Sequence, residues 1–191
     1  MTSRRIDFDI SKKEEPLQEP AGLLLPAVKA LMSNNMKLKS VLDNVEQDAV
    51  IMWVSNGDWS MHELLVGLMN ITGPAVVTFS SYAICEDAAR VFAQLKEARM
   101  IKELYCLLDN RVDVRSANSL QLMKNICDHY ALINTHAKVT LIENSEWRIA
   151  VVGSANYTTN KRYESGIVTT SNDAVLFQKK WITEALNNAS N

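Results

Sequence analysis

Four polar side chains in the last third of the chain are spaced for joint chemistry. His136 and Lys138 stand two apart, as do Ser154 and Asn156, and an apolar stretch ending at Gly153 lies between the pairs. Side chains on an extended chain alternate faces, so the members of each pair share a face. Residues 138–143 and 147–152 read as two strands around a turn at 144–146. Paired as a hairpin, they bring its two ends together at one edge. A histidine, a lysine, a hydroxyl and an amide then converge on one small volume. That set suits an anion. Lys138 supplies charge, Ser154 and Asn156 supply hydrogen-bond donors, and His136 supplies a nucleophile or a proton. Histidine fits both roles because its ordinary pKa, about 6.5, lies near neutrality.

The elements that must carry this hairpin lie upstream. Residues 49–54 form a short apolar β run. Residues 60–70 form a helix, with Ser60 and Glu63 at capping-box spacing. Residues 75–79 are a strand entered through Gly73-Pro74, and 86–98 an amphipathic helix with acids in its first turn. Residues 101–109 are a strand and 119–130 a helix that His129 helps to end. Strands separated by helices imply crossover connections. The expected fold class is therefore α/β, a mixed, mainly parallel sheet with helices on both faces. After Ala131 the pattern becomes strand, turn, strand, loop, strand, and closes with a helix at 172–187. Farther back, 23–45 is helical in character, with Pro26 in its first turn and Leu31, Leu38, Val41, Leu42 and Val45 at three- and four-residue spacing. Residues 1–20 read as an irregular tail punctuated by Pro16 and Pro20, which leaves 21–191 as a single domain.

With 191 residues, 47% apolar and 22% charged, the composition is that of one globular domain. No apolar run reaches the roughly 18 residues of a membrane span, and the charged N-terminus lacks a secretory signal's apolar segment. A cytoplasmic protein with no membrane association is expected. Cys85, Cys106 and Cys127 are an odd set that fits reduced thiols. No C-x-x-C occurs and histidine is scarce, so no zinc site, metal or cofactor is expected. The net charge of −2 gives no global pull toward nucleic acid. Binding to it requires a local basic patch.

His136-x-Lys138, four residues, Glu143, then Gly153-Ser154-x-Asn156 resembles the H-x-K-x4-D…G-S-x-N signature of the phospholipase D superfamily. The later segment around Glu164 resembles the family's stretch that sets a glutamate beside the catalytic histidine. The motif's aspartate is Glu143 here, one methylene longer, and the nine residues 144–152 make a longer hairpin than the pattern's.

The resemblance implies a phospholipase D-like fold over 45–190 and a metal-independent phosphodiesterase. Two motifs build one site: one histidine attacks phosphorus to form a phosphohistidine, and the other protonates the leaving oxygen. In this pattern His136, Lys138, Ser154, Asn156 and Glu164 are catalytic, and Glu143 and Gly153 are supporting. His62 and His129 lack a lysine two positions on, and no second G-S-x-N occurs. The second motif must then come from a second chain, which implies a homodimer sharing one site. His62 is read as structural, and His129 is given no function.

Small single-motif members of the family resemble nucleases, so the implied partner is nucleic acid, DNA foremost. The alternative is a catalytically weak or inactive module that binds nucleic acid. Beyond the strand ends, where α/β sheets take ligands, stand Ser80, Ser81, Tyr82, Asp109 and Arg111. Tyr82 is suited to stack on a base or to pack, and Arg111 to pair with a phosphate or with Asp113. Lys161 and Arg162 either ring the pocket with charge or belong to a solvated loop.

Overall fold

The computed structural model describes residues 36–159 and 161–189. The expected tail at 1–20, Pro26 and Leu31 lie outside them. The described chain runs α1 (Met36–Leu42), β1 (Val50–Asn56), α2 (Met61–Thr72), β2 (Ala75–Ser81), α3 (Glu86–Glu97), β3 (Ile101–Asp109), α4 (Val112–Arg115), α5 (Ala117–Ile126), β4 (His129–Ile133), β5 (Val139–Glu143), β6 (Arg148–Gly153), β7 (Tyr163–Thr169) and α6 (Asn172–Ala189).

One seven-stranded sheet has the order β1-β7-β6-β5-β2-β3-β4. Only the β2–β3 and β3–β4 pairs are parallel. The other four neighbours are antiparallel. The sheet is thus mostly antiparallel, which corrects the mainly parallel expectation. The reason is topological. β1, β2, β3, β4 and β6 all run one way, as strand–helix–strand alternation requires, but β1 and β2 are not neighbours. The returning strands β5, β6 and β7 fill the space between them. In consequence the carboxyl ends of five strands and the amino ends of β5 and β7 meet along one edge.

Both faces are covered. Val77, Phe79, Leu104, Cys106, Ile142 and Val151 point to one core, beneath α1, α2, α3 and α5. Leu107, Val139, Leu141 and Ala150 point to the other, beneath Val175, Ile182 and Leu186 of α6. Alternate residues of one strand feed opposite layers, which is why β2 and β5 read as nearly unbroken apolar runs. α2 begins with the expected capping box: Ser60 N–H donates to Glu63 at 2.6 Å, and Glu63 N–H reaches Ser60 Oγ at 3.4 Å. His62 is buried against the Ser60 hydroxyl at 3.0 Å, a structural position. His129 does not end a helix. α5 stops at Ile126, and His129 opens β4 opposite Tyr105.

Candidate active site

The expected hairpin forms, and its register fixes the site. β5 and β6 pair from Val139↔Val152 to Glu143↔Arg148. Gly153 N–H then donates to Lys138 O at 3.2 Å, so both ends of the motif lie at one edge. Gly153 faces Gly166 of β7. A Cβ on Gly153 would stand 2.6 Å from Ser165 O and 3.1 Å from the Trp53 ring; one on Gly166 would stand 2.4 Å from Val152 O and 2.6 Å from that ring. Trp53 therefore lies over two strands that only glycines let it approach. Trp59 packs edge-on against it at 4.9 Å. Together they floor a cleft walled by Ser55, Asn156, Arg162 and Glu164.

The Gly-Ser-x-Asn loop is anchored by its next residue. Tyr157 is buried against Phe79 and Phe92, each 4.9 Å away, and its hydroxyl meets Thr140 Oγ1 at 2.8 Å. Burial pushes its phenol well above the ordinary tyrosine range. With Tyr157 fixed, Asn156 Oδ1 accepts from Ser81 Oγ (3.3 Å), Tyr82 N–H (3.1 Å) and Ala83 N–H (3.2 Å). This amide oxygen holds the loop after β2. Ser81 is fully buried and committed to that loop, donating also to Ala83 O at 2.7 Å. Ser80 is buried and bonds Ala137 O. Both serines position the site rather than line it.

His136 is exposed and half-buried Lys138 stands against it. Lys138 Nζ donates to His136 O at 2.6 Å and lies 3.0 Å from His136 Nδ1. A charged ammonium has only protons to give. The neutral ring facing it is therefore unprotonated at Nδ1 and carries its proton on Nε2. Burial lowers the pKa of Lys138, and the carboxylates of Glu164 and Asp109 raise it in part. Glu164 does not contact the histidine. Its carboxylate takes the Ser154 hydroxyl, which also accepts from Ser165 N–H at 3.1 Å. The expected glutamate beside His136 is instead a glutamate beside Ser154, held there by the β6–β7 pairing.

Tyr82 joins the histidine to the basic residues. Its ring lies 4.7 Å from the His136 ring. Arg111 Cζ sits 4.3 Å over it and Lys138 Nζ 5.5 Å from its centre. Arg115 donates to the Tyr82 hydroxyl at 3.1 Å. Arg111 pairs with Asp109, not Asp113: its Nε donates to the carboxylate at 2.6 Å. Asp109 also accepts Thr135 N–H at 3.1 Å, which fixes the loop leading to His136. Its pKa is pushed down to about 2, chiefly by the Arg111 hydrogen bond. Because Arg111 occupies the Tyr82 face, that face is not open to a base.

Glu143 lies at the other end of β5, buried and paired with Lys179 of α6 at 3.2 Å. It ties the hairpin to the helix and takes no part in the cluster. Arg162 lines the cleft, and Lys161 is exposed beside it. The sequence reading missed Arg115, Trp53, Trp59 and Gly166. Arg115 had a signal: it follows Arg111 by four residues, the spacing that puts two side chains on one helical face. Among the described residues, no group of three or more His, Cys, Asp or Glu side chains is arranged to hold a metal ion. Among them, too, no helix is long and apolar enough to cross a membrane. Cys85, Cys106 and Cys127 are free thiols, the last two 3.4 Å apart at sulfur.

No protein-family model matches the chain, and no curated protein matches it in sequence. Among solved structures it is similar to TrmBL2, an archaeal chromatin protein, with 11% identity and a TM-score of 0.47 over 85% of this chain and 60% of that one. It is also similar to polyphosphate kinase from Porphyromonas gingivalis, with 15% identity and a TM-score of 0.53 over 87% of this chain. The chain spans 30% of the length of that kinase. The likeness is one of fold: an α/β domain with a seven-stranded, mostly antiparallel sheet.

Proposed function

We propose that this chain is a metal-independent phosphodiesterase, a nuclease that cleaves nucleic-acid phosphodiester bonds through a phosphohistidine in a homodimer. The observation that carries the reading is the contact between His136 and Lys138 at the meeting edge of the strands, beside the cations gathered on Tyr82. A phosphodiester at this edge draws the Lys138 ammonium to its non-bridging oxygens. That releases Nδ1, which takes up the ring proton, and Nε2 becomes free to attack. The N–P bond forms as the bond to the leaving oxygen breaks. His136 of the partner subunit, in its protonated form, gives that oxygen its proton. Water then attacks the phosphohistidine, loses its proton to the same partner histidine, and releases the product with His136 restored. Lys138 offsets the charge that develops on the phosphorus oxygens. Glu164 acts through Ser154 and through its charge on Lys138.

One observation favours the second reading, a module that binds nucleic acid with little or no turnover. Among the described residues no carboxylate hydrogen-bonds His136 Nδ1, since Glu164 is spent on Ser154. Incubation with plasmid and single-stranded DNA in excess EDTA, beside His136→Ala, separates the two. Cleavage under chelation, lost in the variant, and a phosphorylated His136 seen by mass spectrometry support the enzyme. Binding without products supports the module, and magnesium-restored cleavage removes the phosphohistidine route.

A further inference from the structure

Arg115 is an exposed arginine near a short helix's end, where such a side chain ordinarily samples many rotamers. Here it is held. One of its terminal nitrogens donates to the Tyr82 hydroxyl, while Arg111 is held over the ring of the same tyrosine. Tyr82 in turn touches the His136 ring. Two guanidinium groups are thus fixed on the tyrosine that touches the histidine. Asp109 takes Arg111 Nε and one terminal nitrogen. A guanidinium has five N–H donors, so both arginines keep donors, and Arg115 keeps its full charge. Planar donor forks fixed in advance match phosphate oxygens and lose little entropy on binding.

We infer that Arg111 and Arg115, mounted on Tyr82, form a second phosphate subsite beside His136 that takes the neighbouring phosphate of a nucleic-acid strand. The inference rests on the nucleic-acid phosphodiesterase reading above and deepens it: the preferred substrate carries phosphates in succession. The blocked face of Tyr82 makes this a backbone subsite, indifferent to base identity.

The test uses the full chain, Arg115→Ala and Arg115→Lys on two substrates. One is a single-stranded oligonucleotide; the other is bis(4-nitrophenyl) phosphate, which has one phosphodiester and no neighbour. Arg115→Ala is expected to lower kcat/KM about tenfold more on the oligonucleotide than on the small diester, the loss of one charged hydrogen-bonding partner. Arg115→Lys should recover part of it. Oligonucleotide binding to the His136→Asn protein, followed by fluorescence anisotropy, should show a log–log salt slope shallower by about 0.7 when Arg115→Ala is added. Equal losses on both substrates, or an unchanged salt slope, overturns the subsite. Absence of hydrolysis of either substrate by the natural chain counts against the phosphodiesterase alone, and the binding arm still decides the subsite. Absence of oligonucleotide binding overturns it.

Discussion

His136 and Lys138 illustrate how far a two-residue spacing carries. It puts both side chains on one side of the chain, and the structure brings Nζ within 3.0 Å of Nδ1. His136→Asn keeps size and polarity but removes the nucleophile and the titratable proton. Turnover of bis(4-nitrophenyl) phosphate should disappear while the thermal unfolding curve stays in place. Lys138→Ala should lower kcat about 100- to 1000-fold, as loss of transition-state charge stabilisation commonly does. Glu164→Gln separates two roles. Glu164 raises the Lys138 pKa against the lowering effect of burial. Removing its charge lets that pKa fall further, so the alkaline limb of the pH–rate profile should move to lower pH. An alkaline limb that stays put removes Glu164 from the electrostatics of Lys138. At this scale the sequence named the His, the Lys and the loop, but not whom each side chain would hold. Glu164 takes Ser154, and Arg111 takes Asp109, because partners are chosen by the strand register and the turn after β3. Neither is written in local spacing.

At the scale of elements, the facing glycines make a sharp prediction. Gly153 and Gly166 lie under Trp53, with backbone atoms and that buried indole ring as their neighbours. Gly166→Ala should destabilise the fold by roughly 1–3 kcal/mol, the usual cost of overpacking, read as a lower urea midpoint with unchanged slope. α2 carries a pH dependence of its own. Burial lowers the pKa of His62 below 6.5, so the unfolded chain binds the proton more readily. His62 therefore costs no stability above about pH 6.5 and progressively destabilises as pH falls below it. His62→Gln should flatten that part of the stability profile. Strand direction was legible where neighbours were not. Helical crossovers gave β1, β2 and β3 one direction, yet nothing in residues 49–79 announces that three later strands will part β1 from β2, and β4 was hidden in what read as the end of a helix. The hairpin was legible because it is local. The short α4 was not, since four residues show no periodicity.

For the whole molecule, the proposed mechanism needs a second histidine, which the proposed two-fold axis through the site would supply from another copy. His136, Arg111 and Arg115 are all exposed, as such an axis requires. Exposed apolar residues stand at the same end of the sheet: Val54 near the end of β1 is 64% exposed and Tyr163 at the start of β7 76%, and the two strands pair with each other there. A dimer built this way has a distinctive signature. When natural chains and His136→Asn chains are mixed equally and allowed to exchange, a shared site needs both histidines. Activity should then fall to about a quarter of that of the undiluted natural protein, the share of natural–natural pairs, whereas independent sites would keep about half. The same geometry brings two sets of like charges face to face: Lys138, Arg111 and Arg115 from each copy. Their repulsion opposes association and weakens as salt rises. A bound oligonucleotide offsets it more directly, because an anion that binds the dimer better than the monomer shifts the equilibrium toward the dimer by mass action. Sedimentation velocity of the inactive His136→Asn protein, with and without a short single-stranded oligonucleotide, should show dimer at lower chain concentration when the strand is present. A chain that stays monomeric at micromolar concentration in both conditions removes the shared site, and with it the second histidine that the two-step displacement requires.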